Sequence, residues 1–180
     1  MDQEVDRKND HRGSRLGYIM TASKITATSR TTSMAARVLL GILALVEALV
    51  GVWALFAPEG FYRNFPGAGQ AWVSLLPPYN EHLITDVGEL SLALAVVLAA
   101  AAATGQWLLS VVALAAFAVY TVPHMIFHSL HLEGFSTAEA ISQTVGFVLQ
   151  LLLGAVVAWF LWRDRPWRDR PRTAEIDRPS

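Results

Sequence analysis

Three histidines close an apolar segment at Val122–Gly134, VPHMIFHSLHLEG. His124, His128 and His131 stand at i, i+4 and i+7, so a helix through them stacks all three on one face. A second stretch, NEHLITDVGEL at Asn80–Leu90, repeats the spacing with His82, Asp86 and Glu89, and a third apolar run carries a lone Glu47. Imidazoles one helical turn apart hold Zn or Fe readily, and facing carboxylates complete a mixed nitrogen/oxygen ligand set. The chain has no cysteine, which removes thiolate sites, thiol nucleophiles and disulfides and disfavours Cu(I). The expected ligands are therefore Asp86, Glu89, His124 and His128. Glu47, His82, His131, Glu133 and Gln143 are expected as surrounding or proton-relay groups.

Energetics motivate a ligand of this kind. A charged side chain inside a span costs roughly 2.5–3.5 kcal/mol on insertion scales. Glu47, Asp86 and Glu89 together would then cost on the order of 8–10 kcal/mol if charged and alone, comparable with the whole stability of a domain at about 5–15 kcal/mol. Between Val38 and Trp162 the sole Lys or Arg is Arg63, outside every apolar run. Compensation has to come from protonation, imidazole, water or a bound cation.

Named motifs narrow the chemistry. His124-Met-Ile-Phe-His128 lacks the Glu after the first His of the H-E-x-x-H zinc proteases, and the paired E-x-x-H motifs of di-iron bundles are missing. Haem b, held by His82 with His124 or His128, is a weaker reading because of the adjacent acids. A metal-bound water or redox metal would support hydrolytic or redox chemistry near the lipid or a quinone, with Asp86 or Glu89 accepting the proton. Two alternatives need no metal. One is a small proton-coupled transporter using Glu47. The other is a non-enzymatic membrane subunit or scaffold, in which Asp86 and Glu89 join His124, Ser142 and Gln143 in a structural polar seam.

The elements that position these groups follow from hydropathy. The chain has 180 residues, 53% hydrophobic, with 14 Lys+Arg against 15 Asp+Glu. This length favours one domain, and the near-zero net charge argues against nucleic acid as a partner. Apolar runs at about 38–57, 82–103, 106–127 and 139–162 each suffice to cross a bilayer core, so the lipid bilayer is the expected partner, with a quinone or a membrane protein beside it. Gly41, Ala44, Ala48 and Gly51 form a small-residue ridge suited to close helix packing in lipid. Pro58 ends the first run, and the aromatic-rich segment to Asn80 is expected as an ordered surface loop with a short helix near Ala71–Leu76. Gly105 marks a tight turn, and Pro123 a kink.

Residues 1–33 and 163–180 are polar or Pro-rich and are expected to be disordered tails; Met20 and Met34 are alternative start sites to Met1. Both tails are rich in Arg, so the positive-inside rule places both in the cytoplasm of a plasma-membrane protein. The histidine and acid groups then gather at the outer side. Trp107, Trp159, Trp162 and Trp167 are expected to mark the inner interface.

The first run ending in Ala57-Pro58 before an aromatic loop, and Asp86-Val87-Gly88 opening an Ala/Leu-rich second run, resemble the small four-span proteins of the DoxX-like group. The resemblance covers about 37–162. It implies a four-span bundle and, for some members, an association with quinone-linked oxidation. The expectation is an all-α, four-transmembrane-helix bundle with a divalent-metal site on its extracytoplasmic side.

Overall fold

The structure, a computed structural model, describes residues 31–76 and 78–166. Four long helices, α1 (Met34–Phe56), α3 (Glu81–Thr104), α4 (Trp107–Leu130) and α5 (Thr137–Arg163), are joined by short connections and by one cap built on α2 (Pro58–Asn64). Each long helix has the length and apolar composition to cross a membrane. The chain is a multi-pass, four-span helical membrane protein. The expected tails and Trp167 lie outside the described residues, except that Thr31–Ser33 and Arg163–Pro166 are placed, Arg163 as the last residue of α5.

Local chemistry sets the helix ends. Asn80 caps α3 by accepting from the Leu83 N–H, and Gly105 closes it in the left-handed region, at φ +63°. Ser136 and Glu139 form a reciprocal capping box at the start of α5. Pro58 does more than end α1: with no N–H to lose, it occupies the first turn of α2. Pro123 lies inside α4, which runs on to Leu130.

The base of the bundle, where α1 begins and α5 finishes, is densely packed and stitched. Leu40, Leu43, Leu98, Phe117, Val157 and Leu161 fill it. Thr32 donates its backbone N–H to the Gly105 carbonyl at 2.7 Å, and the Trp107 indole N–H reaches the Leu161 carbonyl at 2.9 Å. The Ser33 N–H reaches the Asp164 carboxylate at 2.9 Å. Arg37 lays its guanidinium across the carbonyls of Ala102 and Ala103, both at 2.8 Å. These carbonyls belong to the last turn of α3, where a cation is favoured.

Higher up, α1 and α3 meet through Gly51 and Gly88. Their backbones come so close that a Cβ on Gly88 would lie 2.6 Å from the Leu55 nitrogen. α1 packs along α3 more extensively than any other pair of elements.

The opposite end is covered by residues 57–76 and 78–80. The expected short helix near Ala71–Leu76 is a 3-10 turn at Val73–Leu75, preceded by a two-residue hairpin pairing Pro66–Gly67 with Gln70–Ala71. The rings of this segment pack on one another. Phe61 stacks 4.5 Å from Phe65, and Trp53 and Trp72 meet Phe65 edge-on. Gln70 ties this cap to the bundle, its side-chain oxygen accepting from the Trp72 indole at 2.5 Å and from the Ser142 hydroxyl at 2.9 Å.

Candidate functional site

The expected metal cluster does not form. Among the described residues no group of three or more His, Asp or Glu is placed to hold a metal ion, which overturns the divalent Zn or Fe site and the chemistry built on it. The reason is rotational. The row of α3 turned into the bundle is Gly88, Ser91, Ala95 and Leu98, all buried. At about 100° per residue, Glu89 stands about 200° from Ser91, and it is exposed on the outside of the bundle. Asp86 pairs with His82 on the same helix at 3.4 Å, the two side chains 44% and 83% exposed. Neither acid faces the α4 histidines.

His124 and His128 do turn inward, yet their partner is each other, Nε2 to Nε2 at 3.1 Å. Tyr120 stacks on His124 with ring centres 5.7 Å apart, and Phe147 of α5 packs against both imidazoles at 5.4 and 5.3 Å. Such aromatic packing and the exposed position of His82 leave the bis-histidine haem b reading without a geometric basis too. His131 ends the helix instead of extending the stack; it is exposed and its Nδ1 lies 2.7 Å from the Phe127 carbonyl oxygen. Glu133 is exposed in the α4–α5 turn.

What the fold brings together is a buried polar seam. Glu47, 3% exposed, reaches from α1 toward α5, where the Gln150 amide donates to it at 3.5 Å. The Ser91 side chain of α3 lies near the Glu47 carboxylate, and the Ser91 hydroxyl meets the Tyr120 hydroxyl of α4 at 3.0 Å. Four helices thus contribute one hydrogen-bonding group each. Among the described residues no Lys or Arg forms a salt bridge with Glu47.

Above the seam lies a cavity of about 650 Å³. Its walls are mostly apolar and aromatic, with the cap supplying Phe61, Tyr62, Phe65 and Trp72. Glu47, Tyr120, Thr121, His124, His128 and Gln143 are among its polar points. Two buried atoms of these residues, Thr121 Oγ1 and His128 Nδ1, have no hydrogen-bond partner among the described residues, an uncommon condition for buried polar atoms. The volume and lining match those of small-molecule sites.

Of the residues singled out in the sequence, Glu47, Gln143, His124 and His128 reach this cavity, whereas Asp86, Glu89, His82, His131 and Glu133 do not line it. Ser91, Tyr120, Thr121 and Gln150 were legible as polar residues inside apolar runs. Tyr120 and His124 stand at i, i+4, and Gln143 and Gln150 at i, i+7, so each pair shares a helix face. Comparison with known proteins adds nothing to this geometry: no family model, curated protein or solved structure matches the chain, so the DoxX-like resemblance is carried no further than the four-span architecture.

Proposed function

We propose that this is a non-enzymatic membrane scaffold or subunit of the plasma membrane, whose polar seam holds four spans around a small-molecule cavity. The observation that carries this reading is the way the buried polar groups are used. Ser91 engages Tyr120 and Glu47, Gln150 engages Glu47, and His124 engages His128. Among the described residues no imidazole forms an ion pair with Glu47, and the lining above the seam is suited to an apolar body. Arg37, Arg163 and Arg165 at the base, read by the positive-inside rule, support an orientation with that end in the cytoplasm and the cavity in the outer half of the membrane.

A double-mutant cycle tests the seam. Ser91→Ala and Tyr120→Phe are each expected to lower unfolding stability in detergent by about 0.5–1 kcal/mol, the range for hydrogen bonds between membrane helices. Their combination should cost less than the sum, because both delete one contact. Strict additivity would mean the two hydroxyls do not support each other. Single cysteines at Thr104 and Asn80 test the orientation in intact cells. Only the residue 80 cysteine is expected to react with an impermeant thiol reagent, and the reverse pattern would invert the assignment.

A further inference from the structure

We infer that the cavity takes a lipophilic organic cation, an ammonium carried on an apolar body, with Glu47 as its counter-charge. This rests on the reading of the cavity as a binding site and names the class of its occupant. Three observations converge on it. Glu47 is almost fully buried on the cavity wall, and among the described residues no salt bridge reaches it. Its neighbours are the neutral groups Gln150 and Ser91, which leave a carboxylate, with four lone-pair sites, open to a further partner. The space above it is walled by ring faces and edges from Phe61, Phe65, Trp72, Tyr120 and Phe147, the surfaces that attract a cation whose own hydration is weak.

The class of cation follows from the same chemistry. An inorganic ion would have to exchange its water for several oxygen ligands, and among the described residues no second carboxylate lines the wall to strengthen such a set. An organic ammonium brings its own apolar surface, and a cavity of about 650 Å³ lies within the range that encloses drug-sized ligands. A neutral molecule of the same shape would fill the apolar space without offering Glu47 an opposite charge.

The test uses the full-length protein in detergent micelles with two matched probes, benzyldimethyldecylammonium and its uncharged analogue in which a quaternary carbon replaces nitrogen. Binding is read by isothermal titration. The expected result is that the wild type prefers the cation at least tenfold, that Glu47→Gln removes this preference while still binding the neutral probe, and that Val87→Phe, which fills the cavity, weakens both. Melting curves confirm that each variant is folded. Equal binding of the two probes, unchanged by Glu47→Gln but lost in Val87→Phe, would overturn the cation and leave the binding cavity standing. Lipid identified by mass spectrometry in the wild type and expelled by Val87→Phe, with neither probe bound, would likewise overturn the cation. If neither probe binds and no molecule is expelled, both the occupant and the cavity's role as a binding site are refuted.

Discussion

Gly88→Ala is expected to cost about 3 kcal/mol or more, the upper range for overpacking a well-packed core, and so to remove a large share of a domain's usual 5–15 kcal/mol, roughly. The added methyl would lie 2.6 Å from the Leu55 nitrogen, 3.0 Å from the Leu55 Cα and 3.0 Å from the Gly51 carbonyl oxygen. All three are backbone atoms, so no rotamer change relieves the clash and α1 must move away from α3. Gly51→Ala meets the Leu92 side chain at 2.7 Å and backbone at 2.9 Å, and is expected to be nearly as damaging. The double variant should fall well short of additive, since helices already pushed apart by one methyl accommodate a second more cheaply. Gly41→Ala supplies the contrast: its methyl would meet nothing closer than Ala102 Cβ at 4.0 Å, so its melting temperature should stay near wild type. Identical melting curves for the residue 88 and residue 41 variants would refute the close approach of α1 and α3.

Arg37→Gln is the second large effect, with an expected loss of about 2–3 kcal/mol. Two charge-assisted hydrogen bonds at 2.8 Å disappear, each in the class worth about 1.5–3 kcal/mol; the outer one is exposed, which discounts it. The carbonyls of Ala102 and Ala103 also lose the positive charge that complements the C-terminus of α3. Arg37→Lys should recover less than half, because a single ammonium cannot span two carbonyls as the planar fork does. The damage should stay at the base. Unfolding would come earlier and amide exchange near Gly105 would accelerate, while the residues around the cavity keep wild-type exchange at temperatures where the variant is folded. Equal acceleration at both ends would show that the two ends are coupled.

Sequence reasoning read the spans well and the site poorly, and both outcomes have one origin. Apolar runs announce membrane helices because every residue of a span must be tolerated by lipid or by a neighbouring helix, a property that can be summed along the chain. Gly105 likewise closes α3 for a reason local to its own backbone. The i, i+4, i+7 spacing of His82, Asp86 and Glu89 correctly says that they share a face. Spacing alone does not say which way that face turns. The competing row was present, since Gly88, Ser91 and Ala95 are small and suited to helix contact, but the acids were given the interior on the strength of their chemistry.

The sequence by itself determined four membrane-crossing helices, a glycine turn between the second and third, a lone Glu47 within the first, and a histidine pair one turn apart. Tertiary structure alone decided how each helix is rotated about its axis. The meeting of Gly51 with Gly88 fixes that angle for α3, sending Glu89 outward and Ser91 inward toward Tyr120 and Glu47. Folding of the segment after Pro58 over that end then supplies an aromatic wall of the cavity. Both results depend on contacts between residues far apart in the chain, and pairwise fit of that kind leaves no periodic trace in a single helix.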